Sequence, residues 1–189
     1  MKKILFLLFI FLPMLSAAQT ESDTIGLFAI HGDEYVRMDK ITYRKIKGTG
    51  GLGSMLSMGL AKVKAKMEFD KATSDNVFDG TAHFRFYFGN PPLNDVQNLY
   101  MFSPNFSIKD FDVARFEQKK KSRLLTGVTA SILGTSVGVA SADDISISTK
   151  EIRKGVYDVD VSGQPGEYCI MFVGNGTNGF GGVFDFTIK

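Results

Sequence analysis

Ten consecutive residues in which apolar and polar side chains alternate constrain the fold of this chain most strongly. Residues 61–70 read AKVKAKMEFD, which would place Ala, Val, Ala, Met and Phe on one face and the lysines and acids on the other. A repeat of two residues is the period of a β-strand, because successive side chains point to opposite faces of a sheet. The segment therefore predicts a strand with one solvent-exposed face, and its lysines favour an exposed or edge position.

The same alternation recurs along the chain. Residues 82–88 place phenylalanines on one face, and residues 184–188 place two phenylalanines and an isoleucine inward, with Asp185 and Thr187 outward. About eight to ten such short segments are separated by Gly, Asn, Pro or charged turns, and no long amphipathic helix stands out. The pattern predicts an all-β fold, an antiparallel β-sandwich of immunoglobulin-like or jelly-roll-like type.

Two turns between strands are also predicted. The tetrapeptide 31–34 has the composition of a tight turn, and the basic segment 118–122 lies between the apolar strands 111–117 and 123–129. The second segment therefore predicts the tip of a hairpin. A basic patch for nucleic acid or acidic lipid is the alternative interpretation of its lysines.

The amino terminus has the composition of an export signal. Lys2 and Lys3 precede the uninterrupted apolar run Ile4–Leu12, which Pro13 ends, and small residues follow at Ser16–Ala18. Positive charge, an apolar core and small residues at the cleavage position are the three parts of a secretory signal peptide. The apolar run is too short for a transmembrane helix, which needs about 20 apolar residues.

Cleavage after residue 18 would leave residues 19–189 as a single β-sandwich domain without a transmembrane span, in the periplasm or secreted. Removal of the two lysines of the signal from the 22 basic residues leaves as many basic as acidic residues, of which there are 20. A neutral chain gives no charge argument for nucleic acid. No nucleic-acid partner is therefore predicted.

The residues that usually perform catalysis are few. His31 and His83 are the only histidines, and neither lies in a zinc-binding spacing, so we expect no metal and no cofactor. Cys169 is the only cysteine, which excludes an internal disulfide, and its apolar neighbours predict a buried thiol. Acidic pairs occur at 110/112, 143/144 and 158/160, of which 143/144 is the best calcium candidate, with a solvated turn as the alternative. Carboxylates that are distant in sequence could meet in the fold, which leaves open a hydrolase that uses paired carboxylates.

Two stretches break the strand pattern. Residues 48–60 and 127–142 are uncharged, rich in Gly and Ser, and contain Leu, Ile, Val or Met. They either pack back onto the sandwich or expose apolar surface to a partner. Packing back is favoured by residues 168–173, which are apolar on both faces and need a cover. A further loop, 174–182, is rich in Gly and Asn, whose amides suit sugar hydroxyls. The candidate binding residues are Leu52, Met55, Leu56, Met58, Ile132, Leu133, Asn175 and Asn178.

The carboxyl-terminal third carries a resemblance. Residues 155–157 (GVY), 164–169 (QPGEYC) and 183–186 (VFDF) resemble the "gvY…pGEY…FDF" ending of uncharacterised secreted bacterial β-sandwich proteins, and residues 113–123 are similar to their preceding hairpin. The resemblance implies a fold and export, and it brings no catalytic residue.

The sequence therefore predicts an exported, non-catalytic β-sandwich module for binding or for interaction with the cell envelope. Its partner would be an apolar, glycan or envelope component. A secreted glycan-active hydrolase that uses paired carboxylates is the alternative function. A structural protein that self-associates through its edge strands is a third interpretation.

Overall fold

The fold is all-β, as the alternation predicts. The computed structural model describes residues 25–49, 63–90, 93–95, 101–131, 134–136, 145–173 and 182–189, and gives the backbone alone for residues 46–49, 63–65, 127–131 and 134–136. The predicted signal peptide, residues 1–18, lies outside these ranges. A short 3-10 helix, Ile108–Asp110, precedes the seventh strand.

Fourteen strands are present in the described part of the chain, more than the predicted number because several have only two or three residues. They are β1 (Gly26–His31), β2 (Glu34–Arg37), β3 (Lys45–Thr49), β4 (Val63–Asp70), β5 (Val77–Phe78), β6 (Thr81–Tyr87), β7 (Phe111–Arg115), β8 (Glu117–Gln118), β9 (Ser122–Ser131), β10 (Gly134–Ser136), β11 (Ser146–Arg153), β12 (Val156–Ser162), β13 (Gly166–Phe172) and β14 (Phe184–Ile188).

The strands form three sheets that pack face to face. The first sheet has the order β11-β12-β6-β1-β2, and the second has the order β5-β14-β13-β7. The third has the order β10-β9-β4-β3, with β8 paired to β9. The pairings are antiparallel except for the short contact between β5 and β14. The second sheet lies between the other two, since each of its faces packs against one of them.

Phenylalanines fill the core between the first and second sheets. Phe84 and Phe86 of β6 are almost completely buried, and so are Phe186 and Ile188 of β14. The rings of Phe84 and Phe186 meet edge to face with centroids 5.0 Å apart, in the range in which aromatic pairs attract. The inward positions predicted for residues 82–88 and 184–188 are confirmed.

A second core lies on the opposite face of the second sheet. Cys169 and Met171 of β13 are buried there against Met67 and Phe69 of β4 and Leu125 of β9. The prediction that β13 is apolar on both faces because both are covered is thus confirmed. The described side chains that cover this face belong to strands of the third sheet. The sequence predicts that the two Gly-rich stretches supply the cover, and for these contacts that prediction is wrong.

The position of β4 differs from the prediction. The strand pairs with β3 on one side and β9 on the other, so it is central in the third sheet and not at an edge. Glu68, predicted on the solvent-exposed face, is 8% exposed. Its carboxylate accepts a hydrogen bond of 3.0 Å from the Arg44 guanidinium. A charged side chain is held under the surface here because a partner from the preceding segment neutralises it.

One predicted hairpin is confirmed and the other is corrected. β1 and β2 pair directly across the turn at Gly32 and Asp33. The basic segment does turn between two strands, but the strands are the short β8 and the long β9. Residues 111–115 instead pair with β13 in the second sheet. The chain changes sheets at Phe116, a buried residue of the second core.

A tyrosine hydrogen bond stabilises the connection between the first sheet and the second. The chain leaves β12 in the first sheet and enters β13 in the second through residues 163–165. The Tyr168 hydroxyl donates a hydrogen bond of 2.5 Å to the Gln164 carbonyl oxygen. A tyrosine that bonds back to the preceding backbone is a recurrent feature of such sandwiches. It fixes the corner that brings the apolar strand β13 between the two cores.

Candidate functional site

The binding residues predicted from sequence lie outside the described residues, and their role stays a prediction. They are Leu52, Met55, Leu56, Met58, Ile132, Leu133, Asn175 and Asn178.

The described flanks of the two Gly-rich stretches meet at one end of the third sheet. Thr49, the last residue of β3, pairs with Lys64, and Val63 pairs with Ala130 of β9. The second stretch contains regular structure beyond the predicted strand 123–129, since it contributes the last residues of β9 and all of β10. This additional structure could not be recognised from the sequence because its residues are small and uncharged, so no charged side chains identify a solvent-exposed face.

A cleft of about 360 Å³ opens on one side of the sandwich, between the edge strands β7 and β11. We term it the apolar cleft. Its inner wall consists of core side chains from both sheets, and its mouth is bordered by Ile147 of β11 and by the 3-10 helix. The apolar lining residues are Phe86, Ile108, Phe111, Val113, Ile147, Val159 and Ile170.

The apolar cleft lies where each of the two sheets ends in an edge strand, and none of the described strands joins the sheets on this side. β11 is exposed along its whole length, and Ile147 retains 47% of its accessible surface at the mouth. Strand β11 reads SISTKEIR, and the apolar Ile147 among its polar residues is the feature of the sequence that could have identified the mouth of the cleft. Sequence reasoning missed it because the neighbouring residues are polar.

The polar groups of the apolar cleft are at its rim. The Asp112 carboxylate accepts a hydrogen bond of 2.8 Å from its neighbour, the Val113 amide. Lys109 is exposed and lines the cleft, and its ammonium has no ion pair within the described ranges. Among the described residues, the site therefore presents one cation without an ion pair beside an apolar interior.

The 3-10 helix that carries Lys109 is fixed by its own cap. The Asp110 carboxylate accepts a hydrogen bond of 2.8 Å from the Ser107 amide, and the helix ends where β7 begins. The half-buried side chain of Ile108 packs against the first core. The cap and this contact hold one lip of the apolar cleft in place.

Two of the three acidic pairs of the sequence lie in the described part of the chain, and their carboxylates have partners there. Asp158 makes two hydrogen bonds of 2.5 and 2.8 Å with Arg85, and this contact raises the pKa of the arginine. Asp160 lies 2.8 Å from the His83 ring. The pair at 143/144 is outside the described residues. None of these described contacts favours the hydrolase alternative.

A buried ionic cluster joins the second and third sheets, and the sequence did not reveal it. Asp185, predicted to face solvent, is 5% exposed, because the face of β14 that carries it is covered by the third sheet. Arg123 of β9 reaches Asp185 at 2.6 Å and Glu167 at 3.2 Å. Its guanidinium also lies over the Phe116 ring, 5.0 Å from the centroid. The outward prediction for Asp185 is therefore wrong.

Hydrogen bonds complete the cluster. Glu167 accepts from the Ser74 amide at 2.9 Å and from the Thr187 hydroxyl at 2.8 Å. The nitrogen of Arg123 that remains without a hydrogen-bond acceptor is Nε, which is buried. Nearly complete pairing explains how three charged side chains are tolerated in the interior.

Two further features of the described residues concern the type of site. No group of three or more His, Cys, Asp or Glu side chains is arranged there to hold a metal ion. Nor is any described helix long and apolar enough to cross a membrane.

Comparisons with known proteins return nothing that resembles this chain: no family model, curated protein or solved structure matches it.

Proposed function

We propose that the protein is an exported, non-catalytic binding module whose apolar cleft holds the acyl chain of an anionic amphiphile. The observation that carries the proposal is an opening into the core of the sandwich, with seven apolar side chains among its described lining residues and a lysine that has no ion pair in the described part of the chain. Its volume of about 360 Å³ falls within the range of about 300–1,000 Å³ that is common for ligand sites.

The chemistry of the lining supports this class of ligand. Transfer of an acyl chain from water to an apolar cavity is favourable by about 25 cal/mol for each Å² that is buried. The Lys109 ammonium at the rim would pair with a carboxylate or phosphate head group in water, so the apolar chain alone would enter the sandwich. Free fatty acids and membrane lipids share this chemistry, which agrees with a role at the cell envelope.

Export is part of the same proposal. The charge, apolar run and small residues of segment 1–18 support it.

Binding of laurate to the purified protein, measured by titration calorimetry, tests the cleft. Ile147→Asp places a charge at the mouth and should weaken binding at least about tenfold, or about 1.4 kcal/mol. The matched control is Ile152→Asp, on the same strand with 44% exposure and outside the cleft, which should leave binding unchanged. Equal affinities of the two variants would overturn the proposal.

The head group is tested separately. Lys109→Gln should weaken the binding of laurate and leave that of uncharged dodecanol unchanged, because only the carboxylate pairs with the ammonium. A loss of affinity for both molecules would assign Lys109 a packing role. No saturable binding of either would refute an acyl-chain site in this cleft.

A further inference from the structure

A second cleft, of about 520 Å³, lies where the three sheets meet, and the proposed function does not use it. Its walls come from β2 and the following residues 39–42, from the turn after β4, from Arg123 of β9 and from Asp185 of β14. We term it the polar cleft.

Charged side chains of both signs line the polar cleft, with four cations and four carboxylates among its described lining residues. Three of the carboxylates already have a cationic partner. Asp185 pairs with Arg123 at 2.6 Å, Asp70 pairs with Arg44 at 3.3 Å, and Asp75 pairs with Lys71. The fourth, Asp39, is exposed to solvent.

Lys40 is the exception among the lining cations. In the described part of the chain its ammonium has neither an ion pair nor a hydrogen bond, whereas the other three cations each contact a carboxylate. The side chain is half-buried, and burial lowers the pKa of its amine. A partly dehydrated ammonium without a counter-ion is unfavourable, so an anion that reached it would be held.

The backbone positions the Lys40 side chain. Ile41 and Val183 exchange two hydrogen bonds of 2.8 and 2.9 Å, which fasten this segment to the start of β14. The stem of Lys40 then lies against Gly182, where a Cβ atom would come within 2.7 Å of Lys40 Cγ and 2.5 Å of the Ile41 carbonyl oxygen. Gly182 also has a φ of +119°, which other residues rarely adopt. Glycine at this position thus makes room for the lysine.

We infer that the polar cleft binds a small polyhydroxylated carboxylate, of the sugar-acid class, whose carboxylate pairs with the Lys40 ammonium. Thr42 carries a hydroxyl in the wall that suits a sugar hydroxyl group. The amide nitrogen of Asn76 already donates to the Asp185 carbonyl oxygen at 3.0 Å, so Asn76 offers chiefly its side-chain oxygen as an acceptor. The carboxylates of the lining repel additional negative charge, which favours a monoanion over a phosphate dianion.

Calorimetric titration of the full chain with galacturonate tests the inference, with galactose as the matched neutral ligand and inorganic phosphate as the competing anion. Lys40→Gln should weaken galacturonate binding by about tenfold or more, whereas Lys40→Arg, which keeps the charge, should stay within about threefold of wild type. Lys71→Gln is the control, since Lys71 lines the same cleft but is paired with Asp75.

A second readout reports on the amine itself. Galacturonate should raise the pKa of Lys40, followed by NMR of ¹³C-methylated lysines, because a nearby carboxylate favours the charged form. Unchanged affinity of Lys40→Gln, equal binding of galactose or phosphate, or no saturable binding of galacturonate would each overturn the inference. Laurate binding at the apolar cleft is expected to survive Lys40→Gln, which separates the two sites.

Discussion

Arg123 and Asp185 join two sheets through an ion pair of 2.6 Å in which neither side chain is more than 8% exposed. The pair lies on the face of the second sheet that an ordinary two-layer sandwich would leave to solvent. Its burial follows from the third sheet, which covers that face with Met67, Phe69 and Leu125.

Removal of the cation should destabilise the fold strongly. Arg123→Met leaves the carboxylates of Glu167 and Asp185 buried without a counter-charge, which we expect to cost about 3–5 kcal/mol in the free energy of unfolding. Urea denaturation measures the loss. The control is Arg37→Met at the exposed pair with Asp95, expected to cost at most about 1 kcal/mol. Equal effects of the two substitutions would contradict a role for burial.

Cys169 should react only after unfolding. It is completely buried, and burial raises the pKa of the thiol, so the reactive thiolate does not form in the native protein at neutral pH. A raised pKa in the folded state also means that stability is lost as pH rises above about 8.5, the value of an unfolded cysteine. Cys169→Ala should remove that part of the alkaline slope. Rapid labelling of native protein by a thiol reagent would show that the second core is open.

Phe186 should be essential for the first core. It is completely buried and contacts the rings of Phe84, Phe78 and Tyr168. Phe186→Ala should therefore cost about 3–5 kcal/mol, a large part of a total stability of about 5–15 kcal/mol. Leu93→Ala is the control, since Leu93 is 83% exposed and its loss should change stability by no more than about 0.5 kcal/mol. A wild-type melting temperature for Phe186→Ala would refute the packing.

The hydroxyl of Tyr168 should contribute through its bond to Gln164. Tyr168→Phe retains the stacked ring but removes this bond, so we expect a loss of about 0.5–1.5 kcal/mol in urea denaturation. Tyr35→Phe, at a tyrosine that is 46% exposed, provides the comparison. A loss no larger than that of Tyr35→Phe would mean that the corner is fixed by other contacts.

Export should produce a shortened chain. The small residues at 16–18 predict cleavage after Ala18, which would leave Gln19 as the first residue. Intact-mass measurement of the secreted or periplasmic protein reports the cleavage position directly. A full-length product in the membrane fraction would contradict the signal peptide.

The first core could be predicted from the sequence and the second only in part. Alternation in β6 and β14 identifies Phe84 and Phe186 correctly, because those strands place apolar side chains on one face. For Asp185 the same rule fails, since charge indicates solvent only when no distant strand supplies a partner such as Arg123. The apolar run of β13 did reveal that something covers its second face, but not which strands do so.

The clefts were beyond prediction from sequence for a related reason. The apolar cleft depends on which strands happen to be edges, and the sequence does not fix the order of strands in a sheet. The polar cleft brings together residues near positions 40, 70, 123 and 185. The candidate residues in the Gly-rich stretches, Leu56 and Ile132 among them, remain predictions.

The place of β14 in the middle sheet has a consequence for the timing of folding. It lies beside β13, and it supplies Phe186 to the first core and Asp185 to the interface with the third sheet. β14 follows every other described strand in the chain, so the ribosome synthesises all of those strands first. The strand that contributes to both cores is therefore the last of them to be made. Neither core is then complete before β14 has been synthesised, so the strands that precede it must wait for its side chains.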